Sequence, residues 1–506
     1  MIKHDDKYIF NQILHKKWPF LRKTGFSAQQ LEKTFTKNRA RTLSLHGIQT
    51  FNLTIYAMIK RYNISVLSAI ILCGILLLSC NKKADNAVTP NPVSGPAYQL
   101  DQQVVERREC HALQNLGNDI LNLKFRQIIF EYNSLGPDMT TPVRLTGVIS
   151  MNPAVYNKVE SPRGLMLYNE FTCAKHGERT SQNEIDDIGF YMNKFQNIIA
   201  VSADLYGWTL TEDQPQAYCC PEITSVETMD AWDAAMLILE EEGYNISGLP
   251  TFNVGYSSGG FSAIAVQRYT DKNRTDDFWT LTSAGGAPFS IHSVYLSNIA
   301  SETSGYACSF PLVVVAYKET YNLSINYSDV FVEPLASHIQ EWILSKDYGT
   351  WEINRLIAGS DELAQNCPVD MILTPAALDV NSDISKKLDD KFLENSLCGA
   401  GQTWQPSTKT KFYIMHSIGD KYIDWHVGQE MAGYLKTHGC NVKSDFFYYG
   451  NHVTYGLLKH IGSTMLLMED YMLGGEEIKP QLQHEIIDKT MEYINDDTEQ
   501  IAGISL

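Results

Sequence analysis

Positive charge is what this 506-residue chain has least of: 41 Lys and Arg stand against 58 Asp and Glu, a formal net charge of −17. The deficit is unevenly spread. Residues 1–79 hold 12 basic and 3 acidic side chains, net +9, which leaves 29 and 55, net −26, for residues 80–506. So acidic a body repels phosphate backbones, which argues against a nucleic-acid partner, and it has no electrostatic grip on anionic lipid surfaces. Cys-x-x-Cys pairs with histidines at zinc spacing are missing, so neither a metal site nor a cofactor is expected. Internal repeats and long low-complexity tracts are also missing, which excludes solenoid arrays.

Long apolar runs are scarce too. One of 15 residues, Ile64–Leu78, follows the basic head Met58-Ile59-Lys60-Arg61 and ends in Leu77-Leu78-Ser79-Cys80. A basic head, a run too short to span a bilayer comfortably and a small residue at the end describe a secretory signal over 58–79. Its last four residues resemble the bacterial lipobox, which implies cleavage before Cys80, lipidation of that thiol and a membrane anchor there. Asn81 after the cysteine resembles an outer-membrane address, and the expected location is the bacterial cell envelope, facing either the periplasm or the outside. Residues 80–97, rich in Lys, Asn, Pro, Ser and Gly, read as a tether. Residues 1–57 are basic and without periodicity, and are expected to be a disordered extension from a start codon assigned too early. Beyond Cys73 and Cys80 the chain has Cys110, Cys173, Cys219, Cys220, Cys308, Cys367, Cys398 and Cys440. An even number in an oxidising compartment permits disulfides without specifying their pairing.

What is present is chemistry at strand exits. Thr251-Phe252-Asn253-Val254 reads as a strand, Gly260 to Tyr269 as a helix, and Gly255-Tyr256-Ser257-Ser258-Gly259 joins them. A turn that tight strains the backbone of Ser257 and leaves room only for glycine two residues before and after it. Ser257 Oγ would stand above the C-terminal edge of the sheet, with the Ser258 N–H at the helix start aimed at a developing oxyanion. Lys411–Met415 reads as a buried strand running into His416-Ser417-Ile418-Gly419-Asp420, and a helix is expected over Val427–Thr437. Asp445–Tyr449 reads as a last strand that empties into Gly450-Asn451-His452. Serine needs a base to take its proton, histidine serves near neutral pH, and a carboxylate fixes the imidazole tautomer. Asp424 rivals Asp420, which is favoured because it lies nearer the strand end. His416 reads as strand-end packing and His460 as part of a following helix.

These residues resemble the α/β-hydrolases, and within them the secreted lipase and esterase group, over roughly residues 120–475. Phe125–Tyr132 and Val143–Ile149 look like that group's opening hairpin, Ile198–Gly207 like its fourth strand and following turn, and Thr224–Leu239 like the helix before the nucleophile strand. Gly255–Gly260 resembles its Gly-Tyr-Ser-x-Gly-Gly form, and Trp404-Gln405-Pro406 with Met415–Asp420 resembles its acid strand. The resemblance implies an α/β-hydrolase fold: a mostly parallel sheet flanked by helices, over 98–506, with a helical cap inserted at about 288–407. Helices are expected in the cap at Ser328–Leu344, Trp351–Ala358 and Lys386–Asn395. Many members carry His-Gly after the third strand, where an N–H completes the oxyanion hole. Here Gly164–Tyr168 runs into Asn169-Glu170-Phe171-Thr172. The second donor is therefore expected at the N–H of Glu170 or Phe171, and Glu170 would repel an oxyanion unless it turns away or pairs with a cation. Asp204 reads as structural, capping the turn after its strand. The implied function is an exported serine hydrolase acting on a small-molecule, lipid or glycan ester. Alternatives are an acetyl or feruloyl carbohydrate esterase, a serine peptidase of the prolyl-oligopeptidase type, or an inactive binding protein on the same fold. Oligomeric state is open.

Overall fold

The computed structural model describes residues 104–110, 113–115, 122–124, 126–182, 197–275, 277–399, 401–448 and 450–473. The signal, Cys80, the tether, residues 1–57 and Phe125 lie outside the described residues.

Nine strands form one sheet: β1 Val104–Cys110, β2 Arg126–Leu135, β3 Pro142–Met151, β4 Gly164–Asn169, β5 Ile198–Ala203, β6 Thr251–Tyr256, β7 Leu281–Gly285, β8 Lys411–Ser417 and β9 Asn441–Phe447. Their spatial order is β1-β2-β3-β5-β4-β6-β7-β8-β9. The first three pair antiparallel with their neighbours, and every pair from β5–β4 onward is parallel. The parallel strands read as continuous apolar runs because helices cover both faces. In β4 and β5, Leu165, Leu167, Ile199 and Val201 pack on one face, with Trp232, Ala235 and Leu239 of α1 (Pro221–Glu241). Their neighbours Met166, Tyr168, Ile198 and Ala200 pack on the opposite face, in the cluster that holds Leu457, Ile461 and Met468 of the last helix. A period of two thus assigns each strand residue to one of two cores.

The remaining long helices are α2 Ser258–Asn273, α3 Ile291–Ser301, α4 Ser309–Tyr321, α5 Thr350–Ala358, α6 Asp383–Asn395, α7 His426–Thr437 and α8 Leu457–Met472. The segments α3 to α6 lie in the expected cap, between β7 and β8. Two of them, α3 and α4, were not anticipated individually. The expected helix 328–344 is instead two pieces, Tyr327–Val330 and Leu335–Ile339, the second running into a wide turn Gln340–Leu344. Pro334 between them supplies no N–H to a continuous helix.

The last strand also differs from expectation. It runs Asn441–Phe447 rather than 445–449, in unbroken parallel register with β8 from Lys411↔Asn441 to Ser417↔Phe447. Tyr448, past its end, is exposed. Cys173, Cys219, Cys220, Cys308, Cys367, Cys398 and Cys440 are all free and buried. All but Cys173 belong to one apolar cluster, where burial holds the thiols up and makes them behave as small hydrophobes.

Candidate active site

Ser257 sits between β6 and α2 with φ 57° and ψ −128°, a conformation that L-residues rarely adopt. The flanking glycines make it possible. A Cβ on Gly255 would lie 2.0 Å from the Gly259 carbonyl oxygen, and one on Gly259 would lie 2.1 Å from that of Asn169. The strain is held by backbone bonds: Ser257 N–H donates to Gly285 O at 2.9 Å, and Phe261 N–H to Ser257 O at 3.2 Å.

The structure brings the three predicted side chains together from three strand exits. Ser257 Oγ is 2.8 Å from His452 Nε2, and His452 Nδ1 is 2.6 Å from Asp420 Oδ2. Asp420 follows β8 by three residues, and its side chain is wholly buried. Its Oδ1 accepts the N–H groups of Tyr422 at 2.8 Å and Ile423 at 3.1 Å. Burial alone would raise the Asp420 carboxyl. The His452 imidazole and the hydrogen bonds of His416 and His452 overcome that and hold it below the usual carboxylate range. His452 opens a wide helical turn, 452–456, that leads into α8. Its ring lies between two tyrosines, with centroids 5.2 Å from Tyr256 and 5.1 Å from Tyr422. Tyr256 also donates its hydroxyl to the His452 carbonyl at 2.8 Å.

The rival carboxylate is engaged elsewhere. Asp424 accepts from His426 N–H at 3.1 Å and from Ser297 Oγ at 2.7 Å, which ties α7 to cap helix α3. His460 lies on α8 as expected, where burial pushes its imidazole down to about 3 and Nε2 sits 2.9 Å from Ser283 Oγ. His416 is more than strand-end packing. Its Nε2 is 3.0 Å from Asp420 Oδ2, a contact the four-residue spacing along a strand exit could have suggested.

Ser258 begins α2, so its N–H is at a helix N-terminus beside Ser257. Glu170 and Phe171 follow β4 directly alongside, since Asn169 pairs with Gly255 across β4 and β6. Asn169 fixes this exit by donating to Asn253 Oδ1 at 2.9 Å and Val254 O at 3.1 Å. The Glu170 carboxylate pairs with Arg179 at 3.1 Å, both side chains almost fully buried. Arg179 also donates to Ala203 O at 2.9 Å. Sequence reasoning missed Arg179 because nothing in the chain links positions 170 and 179 except the fold. Asp204 binds Ser181 as well as Thr209 in the turn after its strand, so it ties two loops rather than capping one.

Beside Ser257 and His452 lies a cleft of about 720 Å³, its open mouth included. The cap supplies most of its wall, with Val294, Tyr295, Phe310, Val314, Leu388 and Phe392 among the lining residues. Among the described residues, no Asp, Glu, Lys or Arg lines it. Among the described residues, no cluster of His, Cys, Asp or Glu could hold a metal ion, and no helix is long and apolar enough to cross a membrane.

No family model matches the chain, and no curated protein does. Solved structures do. The rice cell wall degrading esterase LipA from Xanthomonas oryzae is similar at 18% identity and a TM-score of 0.61, over 74% of this chain and 99% of that one. Lipase A from Candida antarctica is similar at 12% identity and a TM-score of 0.54, over 78% of this chain and 90% of that one. At such identities the likeness is one of fold. With a mostly parallel sheet, helices on both faces and a helical cap between β7 and β8, the chain has the α/β-hydrolase fold.

Proposed function

We propose that this chain is a serine hydrolase of carboxylic esters, with Ser257 as nucleophile, His452 as general base and Asp420 as its orienting carboxylate. The observation that carries the reading is the continuous hydrogen-bonded chain from Ser257 Oγ through His452 to Asp420, at 2.8 and 2.6 Å, beside an uncharged apolar cleft. Asp420 accepts from Nδ1–H, which leaves the Nε2 lone pair facing Ser257 Oγ–H. As Oγ attacks the ester carbonyl, Nε2 takes its proton. The tetrahedral oxyanion forms beside the Ser258 N–H, with Glu170 or Phe171 N–H as second donor. Collapse expels the alcohol, which receives the proton from His452. Water, deprotonated by the same imidazole, then releases the acid from the acyl-enzyme.

An apolar cleft without charged side chains suits a neutral, apolar acyl group. The named activities of the two similar proteins, a cell wall degrading esterase and a lipase, are both ester hydrolyses and support the same reaction class here. The first also favours a second reading for the alcohol, a cell-wall glycan. We propose further that the mature chain is exported and anchored through lipid on Cys80, on the strength of the basic head, apolar run and Leu-Leu-Ser-Cys end.

A fluorophosphonate probe should label the wild type and not Ser257→Ala, in which kcat should fall about 10⁴- to 10⁶-fold. A panel of p-nitrophenyl esters, acetylated xylan, feruloyl esters and proline-containing peptides then separates the substrate classes. Labelling that survives in Ser257→Ala would move the nucleophile to Ser258, and turnover of peptides alone would overturn the ester reading.

A further inference from the structure

We infer that His416 is a positioning residue for the Ser257–His452–Asp420 chain, donating its Nε2–H to the carboxylate that orients the general base. The inference rests on reading that chain as a catalytic triad.

The geometry assigns the proton. Asp420 is wholly buried and sits between two imidazoles, His452 Nδ1 at 2.6 Å and His416 Nε2 at 3.0 Å, both on the same oxygen, Oδ2. An ionised carboxylate can only accept, so both nitrogens carry hydrogen. The other ring nitrogen of His416, Nδ1, is buried and has no partner among the described residues. Facing it on α7 is the backbone of Gly428, where an added Cβ would lie 3.0 Å from Nδ1. A proton on Nδ1 would therefore be a buried donor without an acceptor, a cost the bare lone pair does not incur to the same degree. His416 is thus neutral, in the Nε2–H form, and it holds rather than relays.

The surroundings leave this pair few other influences. Phe446 of β9 is opposite His416 in the sheet register and also packs near Gly428. The titratable groups that face Asp420 are His416 from β8, His452 from the last loop, Tyr256 from β6 and Tyr422 from its own turn. With Tyr422 and Ile423 N–H on Oδ1 and the two imidazoles on Oδ2, Asp420 accepts four hydrogen bonds and cannot rotate without losing some of them.

Removing the His416 donor has a signed consequence. Asp420 keeps its charge but loses one of two donors on Oδ2, so its field bears more fully on His452. That stabilises the imidazolium. The base must be neutral to act, so the acid limb of kcat/KM moves to higher pH. A residue that only filled space would change stability and leave that limb in place.

The test compares His416→Leu, which cannot donate, with His416→Gln, whose amide Nε2–H reaches a similar position. In His416→Leu the acid limb should rise by about half to one pH unit, with plateau kcat/KM reduced about 10-fold, far less than the about 10⁴ expected for losing the carboxylate itself. His416→Gln should restore the wild-type limb. An acid limb unchanged in His416→Leu, or a Gln variant that behaves like Leu, would overturn the role. Should His416→Leu fail to fold, ¹⁵N-imidazole spectra of the wild type decide. The signals missing in His416→Gln should report protonated Nε2 and bare Nδ1, unchanged from about pH 5 to 9. Protonation of Nδ1 within that range overturns the inference in an otherwise active enzyme. A wild type that neither hydrolyses esters nor takes up the fluorophosphonate instead sinks the triad reading itself, and the role of His416 with it.

Discussion

Asp420→Asn tests the carboxylate proposed to orient His452 with the least change of shape. In the wild type every lone-pair direction of Asp420 is used: Oδ2 by His452 and His416, Oδ1 by the N–H groups of Tyr422 and Ile423. An asparagine must place its NH₂ on one of these sides. Toward Tyr422 and Ile423, it sets donor against two backbone donors. Toward the imidazoles, it forces His452 into the tautomer with hydrogen on Nε2, which cannot accept the Ser257 proton. The first option leaves two buried N–H groups facing a donor, at about 1–3 kcal/mol each, against one buried unpaired donor in the second, a proton on His416 Nδ1, so the second is favoured. The expected result is a folded enzyme with kcat lowered about 10⁴-fold, equivalent to about 5.4 kcal/mol in the barrier. Asp424→Asn is the control, because that side chain serves His426 and Ser297 and is about a third exposed. It should leave kcat within about threefold of wild type. Hydrolysis of a p-nitrophenyl ester under saturation gives kcat, and thermal melting confirms folding. If Asp424→Asn loses the activity and Asp420→Asn keeps it, the assignment from hydrogen bonding is wrong.

Other consequences are equally direct. Gly255→Ala pushes a methyl to 2.0 Å from the Gly259 carbonyl oxygen and should cost about 4 kcal/mol or more, seen as insoluble protein or a large drop in Tm. A Tm within two or three degrees of wild type would show that the elbow can open. Glu227 is buried on α1, its carboxyl pushed by burial from an ordinary 4.5 up to about 8. A raised folded value means this group's contribution is full below about 4.5 and is lost as pH rises through about 8. Glu227→Gln should therefore flatten the fall in stability across that window, and a parallel pH profile of Tm in both proteins would refute it. Cys80→Ser should block lipidation and leave an uncleaved precursor or release soluble protein. Mass spectrometry that finds an unlipidated Cys80 in the native protein would refute the anchor.

The parts legible in the sequence are those where one residue type has one physical use. Gly255 and Gly259 announce the elbow because no other residue fits, and the structure has Ser257 at φ 57° between them. The parallel strands read as apolar runs because both faces are covered. Each run closed on a polar exit, so the candidate site residues could be named with their strands. The last strand was placed late because Asn441–Ser444 is mostly polar, with Val442 its one apolar residue, yet register with β8 makes it pair. The cap was legible only as helices, and two of them, α3 and α4, escaped notice. Their apolar residues line a cleft and pack into a core at once, which blurs the amphipathic stripe that periodicity needs.

The exit of β4 shows how a departure from pattern is made good. Without a glycine after the strand, the backbone beside the elbow is fixed by side chains instead: Asn169 on Asn253 and Val254, Glu170 on Arg179. A buried ion pair is a poor source of stability, since taking two charges out of water offsets most of their attraction. Arg179 is nonetheless held charged: burial would lower the guanidinium, but Glu170, Cys173 and Asp204 around it keep it above its ordinary value. Its Ala203 hydrogen bond anchors it to the end of β5. The pair therefore positions more than it stabilises. It holds the Glu170 carboxylate in a buried ion pair at 3.1 Å, in the segment that follows Asn169. The charge that would repel an oxyanion, read from sequence alone, is paired with a buried cation, as the proposed role of the Glu170 or Phe171 N–H requires.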